Sequence, residues 1–174
     1  MGLPYWLPAK HPKMQVRTAD AWFRLYVQRW YQELLPRLIP LLYINGGPVL
    51  MGQVENEYGS YGRCDEVYMT WLRDTYRSYF SPDFLLFTVD GGTEGLLECG
   101  HLDTVYPTVD FSPGPYVNGS FAAQRAYAPR GPLVNTEYYP GWFDTWGTVH
   151  QTVSANLTAT WLAAMLAMNA SVNM

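Results

Sequence analysis

Histidine and cysteine are scarce in this sequence, with three and two copies among 174 residues. His11, His101 and His150 are dispersed, and no Cys/His spacing has the form of a zinc motif, so no metal site is expected. Basic residues are also few: 11 Lys and Arg stand against 15 Asp and Glu, for a net charge of -4, and they form no stripe. A nucleic-acid partner is thereby excluded. Long apolar runs are missing too. The most apolar stretch, 153–168, is interrupted by Ser154, Asn156, Thr158 and Thr160, and reads as a half-buried helix rather than a membrane span. The opening residues, Met1 to Pro8, have neither the basic start nor the apolar run of a signal peptide, so export cannot be read from this end. With no internal repeat, low-complexity tract or linker, residues 1–174 read as one domain or one piece of a domain.

What the chain has in excess is aromatic rings, seven Trp and fourteen Tyr, in a composition that is 48% hydrophobic. One core is expected, with rings left either to fill it or to stack on a sugar. Thr18 is the expected cap of an amphipathic helix whose Trp22, Phe23, Tyr26, Val27, Trp30 and Leu34 form a core face, stopped at Pro36. A strand follows around Val49–Val54, then a helix over 65–80 and a strand over 84–89 that ends in an Asp90-Gly91-Gly92 turn. That turn lacks the further oxygen ligands of a calcium loop. A weaker strand over 104–111, a short helix over 121–127, a strand over 133–137, a helix over 150–168 and the start of a strand at 171–174 complete the series. Strands alternating with helices predict an α/β fold with a parallel sheet.

Two of these strands end in carboxylates. Gly46-Gly47-Pro48-Val49-Leu50-Met51-Gly52-Gln53-Val54-Glu55-Asn56-Glu57-Tyr58 places Glu57 at the C-terminal end of an apolar strand, and Leu133-Val134-Asn135-Thr136-Glu137-Tyr138-Tyr139-Pro140-Gly141-Trp142 repeats the design around Glu137. Taken alone, Glu-Asn-Glu is also what a solvated loop carries, and Glu137 in an aromatic turn could be an ordinary surface residue. The two segments together resemble the acid/base and nucleophile motifs of the family-35 glycoside hydrolases, the β-galactosidases. Residues 2–7 are similar to a further segment of that family, with Met1 where a glycine is expected. The likeness runs over essentially the whole chain and is nearest to animal lysosomal members.

The resemblance implies a partial (β/α)8 barrel, about strands four to seven with the start of strand eight, and a retaining hydrolase of terminal β-galactose. Glu57 would be the acid/base, Glu137 the nucleophile and Asn56 the amide that holds the sugar 2-hydroxyl. Tyr139, two residues past Glu137, would hydrogen-bond the nucleophile and favour its ionised form. Trp142 would be either a stacking wall for the sugar or simple packing under the loop. No cofactor is needed, and the partner implied is a β-galactoside on a glycan or glycolipid, with a homo-oligomer open to the whole protein. Cys64 and Cys99 would pair as members of the family do, the alternative being two buried thiols; a bridge implies an oxidising compartment. Of the sequons at Asn118, Asn156 and Asn169, Asn118 is the favoured glycosylation candidate because its surroundings read as a Pro/Gly-rich loop. Lysosome or secretory pathway is the implied location. The 174 residues alone are expected to turn substrate over poorly, the alternative reading being an inactive carbohydrate-binding or structural piece.

Overall fold

The computed structural model describes residues 2–174; the reading placed on Met1 lies outside them. Five strands, β1 (Met51–Asn56), β2 (Leu85–Gly91), β3 (Tyr106–Asp110), β4 (Leu133–Glu137) and β5 (Ala170–Asn173), form one sheet in sequential order. The β2–β3, β3–β4 and β4–β5 pairs are parallel. Parallel neighbours need a crossover, and helices supply it: α5 (Glu94–Gly100) between β2 and β3, α6 (Val117–Tyr127) between β3 and β4, and α7 (Ala155–Ala167) between β4 and β5. This is the α/β pattern of a (β/α)8 barrel, present in part; the sheet is not closed.

The chain divides into two compact units, the first running up to Val54 and including Asp65–Leu86. It holds α1 (Trp6–Lys10), α2 (Ala21–Leu38) and α4 (Glu66–Tyr79). The cap of α2 is Asp20, not Thr18. Its carboxylate accepts the Trp22 and Phe23 N–H groups, while the Thr18 hydroxyl donates to the Gln15 carbonyl. A carboxylate serves this position better than a hydroxyl because it also meets the helix dipole. Nor does Pro36 stop the helix, which runs to Leu38 and tightens into a 3-10 turn at Ile39–Leu41; proline removes one helical bond here without ending the run. The expected core face is only partly covered: Phe23 is buried and Tyr26, Val27 and Leu34 are half-buried, but Trp22 and Trp30 are 50% and 61% exposed. Leu35 takes the second buried place. Asp65 caps α4 through the Tyr68 N–H, and its other oxygen accepts from Ala19 at 2.7 Å, so one side chain fixes the start of α4 and the approach to α2.

The second unit comprises Glu55–Cys64 and Phe87–Met174. Its core joins Val109 and Phe111 to Val117 and Phe121 of α6, Leu97 of α5, Leu133 of β4 and Met165 of α7. Pro107 sits within β3 and has no N–H to give, an unusual place for proline in a sheet. Beside it the buried Gln124 of α6 bridges β3 and β4: its amide nitrogen donates to the Pro107 carbonyl at 2.9 Å, and its amide oxygen accepts the Val134 N–H at 3.1 Å. Helix α6 begins at Val117, four residues earlier than its apolar residues suggest, so Asn118 lies in the first helical turn rather than in a loop. It is exposed there. Helix α7 begins only at Ala155, capped by Ser154. The residues before it form a loop in which the Asp144 carboxylate accepts from His150 Nδ1 at 2.7 Å and from Gln151 N at 2.8 Å, competing successfully with helix.

Candidate active site

Strand β1 ends one residue before Glu57, and the backbone turns sharply there. Glu57 has φ 48° and ψ 43°, left-handed values that cost a non-glycine residue about 1 kcal/mol or more. The turn is held from several sides. Glu57 N–H donates to the Val89 carbonyl of β2 at 2.6 Å, and Gly59 N–H donates to the Asp90 carboxylate at 2.8 Å. Tyr58, fully buried, anchors the short helix α3 (Tyr58–Tyr61). Gly59 lies so close to the Leu96 carbonyl that no side chain would fit. A disulfide between Cys64 and Cys99, with Cα atoms 4.8 Å apart, ties the exit of α3 to α5. The acid/base candidate is thus placed by its backbone, on a bridged platform.

Glu137 is the last residue of β4. Its N–H is taken by the Asn135 side-chain oxygen at 2.9 Å, and its carbonyl accepts from Phe111 N–H at 3.3 Å. Asn135 is wholly buried, and its own carbonyl accepts the Met174 N–H at 3.1 Å. The following residue, Tyr138, donates its N–H to the Met174 carbonyl at 2.6 Å. The nucleophile candidate is therefore fixed from β3 on one side and β5 on the other, while its side chain stands exposed at the sheet's C-terminal end.

Two further carboxylates lie beneath them. Asp90 near the end of β2 and Asp110 at the end of β3 are 0% and 3% exposed, and one oxygen of each lacks a hydrogen-bond partner. Burial pushes Asp90 up to about 7, opposed by the Gly59 N–H and assisted by the charges of Asp110, Glu55 and Glu57. Burial likewise pushes Asp110 up to about 7, with the charges of Glu57 and Glu137 adding to it. Glu137 is raised from the usual carboxylate range by burial and then by the charge of Glu57.

Tyr139 is half-buried two residues past Glu137, and burial followed by the charges of Asp110, Glu57 and Glu137 raises its hydroxyl above the ordinary phenol range. Glu137 is raised rather than favoured in its ionised form. Trp142 is 62% exposed, with its ring edge-on to Tyr139 at 6.0 Å and stacked on Phe143 at 5.0 Å, so packing under the loop does not occupy it. With Ser112, Pro113, Gly141 and Tyr139 it lines a cleft of about 230 Å³. Asn56 is exposed at the end of β1, its N–H donated to the Glu55 carboxylate at 2.7 Å.

Asp110 and Asn135 have no role in the sequence reading, and Asp90 enters it only as the start of a turn, whereas the strand β2 runs on through it to Gly91; a signal for all this exists. Thr88-Val89-Asp90 and Thr108-Val109-Asp110 repeat one ending on adjacent strands, with Thr and Asp buried in both. Polar residues spaced by two inside apolar strands line one face of a sheet. The Thr108 hydroxyl bonds both the Thr88 carbonyl and the Thr136 hydroxyl, which continues that polar row onto β4.

With this geometry in place, the sequence profile of Glycosyl hydrolases family 35 matches residues 1–174. The chain belongs to glycosyl hydrolase family 35. Among curated relatives, the beta-galactosidase of Bos taurus is 49% identical over 173 residues, which are 99% of this chain and 26% of that protein. The beta-galactosidase of Mus musculus is 45% identical over 99% of this chain and 27% of its own length. A beta-galactosidase-1-like protein of Mus musculus is 47% identical over 99% of this chain and 26% of that protein. The chain spans about a quarter of the length of the relatives it matches.

Proposed function

We propose that this chain carries the two catalytic carboxylates of a retaining β-galactosidase, with Glu137 as nucleophile and Glu57 as acid/base. The observation that carries the reading is the pair of strand ends: two carboxylates of one family-35 chain, each held by its backbone at a C-terminal strand end, with the charge of one acting on the other. In a barrel built from such strands, this is the end where catalytic groups gather.

Retention requires carboxyl groups about 5–5.5 Å apart. Glu137 attacks the anomeric carbon of a terminal β-galactosyl residue while Glu57 protonates the departing oxygen, giving a glycosyl-enzyme. Glu57, now ionised, takes a proton from water, which attacks the same carbon and releases galactose and Glu137. Asn56 holds the 2-hydroxyl, a contact that tightens as the transition state gains oxocarbenium character. Trp142 offers its exposed face to the sugar's C–H surface. The Cys64–Cys99 bridge and the exposed Asn118 sequon support a lysosomal or secreted location. Turnover by these 174 residues is expected to be slow, since an unclosed sheet holds its loops less firmly than a complete barrel and misplacement is costly.

A single turnover suffices for the test. A 2-fluoro-galactoside with a good leaving group should label Glu137, identified by peptide mapping, and Glu137→Gln should abolish labelling. Label on another residue sinks the assignment. Galactose binding with no labelling would favour a binding piece without chemistry.

A further inference from the structure

We infer that Asp90 is a positioning residue for the acid/base, supplying from β2 the cap that α3 would otherwise take from Glu57, so that the Glu57 carboxyl is left to the substrate. This role rests on the glycosidase reading above for its part in the reaction, but not for the contact itself. Glu57 is the N-cap residue of α3, the position whose side chain ordinarily accepts the N–H of the second or third helical residue. It makes no such bond, and its backbone is left-handed where an ordinary cap residue is extended. The N–H of the second helical residue, Gly59, goes instead to the Asp90 carboxylate at 2.8 Å. Val89, the residue before Asp90, accepts the Glu57 N–H at 2.6 Å. Two consecutive residues of β2 thus hold both ends of the turn, on either side of the fully buried Tyr58. A left-handed glutamate persists only where its neighbours over-determine it.

The fold is closed around this acceptor. Asp90 is 0% exposed, and its second oxygen has no hydrogen-bond partner among the described residues. A side chain on Gly100, the last residue of α5, would run into that carboxylate, just as one on Gly59 would run into the Leu96 carbonyl of the same helix. Glycines at 59 and 100 therefore let α5 press on the turn and on its acceptor together. A carboxyl buried with one oxygen unpaired is costly to keep. The division of labour accounts for it, because a carboxylate that caps a helix is held ionised by the N–H it accepts, a poor state for a proton donor.

Amide hydrogen exchange in the 174-residue chain tests the contact without requiring catalysis. The Gly59 N–H should exchange on the order of 10-fold faster or more in Asp90→Ala, while the Val134 N–H, bonded to Gln124, should keep its rate. Asp90→Asn retains an acceptor and should retain the protection. Should Asp90→Ala fail to fold, Gly100→Ala gives the same reading, since its methyl displaces the carboxylate and leaves Glu57 and Gly59 in place. Unchanged Gly59 exchange in either folded variant overturns the contact. For the reaction, glycosyl-enzyme formation in Asp90→Ala should fall on the order of 10-fold more for an alkyl β-galactoside than for a dinitrophenyl one, and Asp90→Asn should recover most of that difference. A merely structural part would lower the two substrates alike, by lowering the share of folded chain. Equal loss on both, or none, overturns the positioning role. Absence of 2-fluoro-galactoside labelling in the wild type overturns the glycosidase reading instead, and the Gly59 exchange then speaks for the contact alone.

Discussion

Asp110 and Glu137 are Cα partners at the C-terminal ends of adjacent parallel strands, one buried and the other exposed. Two carboxylates so joined cannot be treated separately, and the buried one governs how the fold responds to pH.

Stability should fall as pH rises from about 5 to about 8. Asp90 and Asp110 are each raised to about 7 in the folded chain, whereas an unfolded Asp ionises near 4. Between those values the folded state holds protons that the unfolded state has released. Their stabilising effect is thus complete below about pH 4 and is lost as pH climbs through about 7, with a size on the order of a few kcal/mol for the pair. Thermal melts across this range should show the decline, and Asp90→Asn or Asp110→Asn should flatten it. A wild-type melt that rises with pH would contradict the prediction.

Reducing the Cys64–Cys99 bridge should destabilise the chain without unfolding it outright. The two cysteines are 35 residues apart, and closing a loop of that length in the unfolded state is worth about 3–4 kcal/mol. In a domain of this size the melting temperature should drop on the order of 10 °C. Melts with and without reductant, alongside Cys64→Ser/Cys99→Ser, measure the difference.

Gly59→Ala should be among the most damaging single-atom additions. The new methyl would meet the Leu96 carbonyl, which belongs to a helix backbone and cannot swing aside. A cost of about 3 kcal/mol is expected, the upper end for overpacking, with a further loss of labelling because the Gly59 N–H is part of the Glu57 turn. Chemical denaturation reads the first effect and 2-fluoro-galactoside labelling the second. Labelling at the wild-type rate would show that the turn tolerates the displacement.

Glu57→Gln should hurt substrates unequally. A nitrophenolate departs with little help, whereas an alkyl or sugar oxygen needs its proton, and general acid catalysis is worth about 10²- to 10⁴-fold. The rate of glycosyl-enzyme formation should therefore fall far more for an alkyl β-galactoside than for a dinitrophenyl one. An equal loss on both would remove Glu57 from the acid role.

Much of this arrangement was legible in the sequence wherever a local pattern and its burial agree. The 133–137 strand was placed to the residue, and the 65–80 helix was right to within one residue at each end, because an apolar run or stripe coincides with a cap or a strand-ending carboxylate. Helix α2 misled because its aromatic residues recur at helical spacing whether or not anything covers them, and Trp22 and Trp30 are left exposed. Helix α5 was missed: Glu94-Gly95-Leu96-Leu97-Glu98-Cys99-Gly100 is short and carries two glycines, and its packing, not its propensity, makes it helical. At the site, Glu57 and Glu137 could be read from their own segments. The pairing of Asp110 with Glu137 could not, since the two lie 27 positions apart in sequence and only the β3–β4 ladder brings them together.

Gln124 belongs to a helix, yet it bridges two strands of the sheet, donating to the Pro107 carbonyl of β3 and accepting the Val134 N–H of the strand leading to Glu137. Helix α6 can leave the sheet only by breaking both bonds, so its detachment and the loosening of β4 are one event. In hydrogen exchange the Val134 amide would share the opening rate of α6 instead of fraying with the nearby strand end, and the timing of that opening sets how long Glu137 stays aligned.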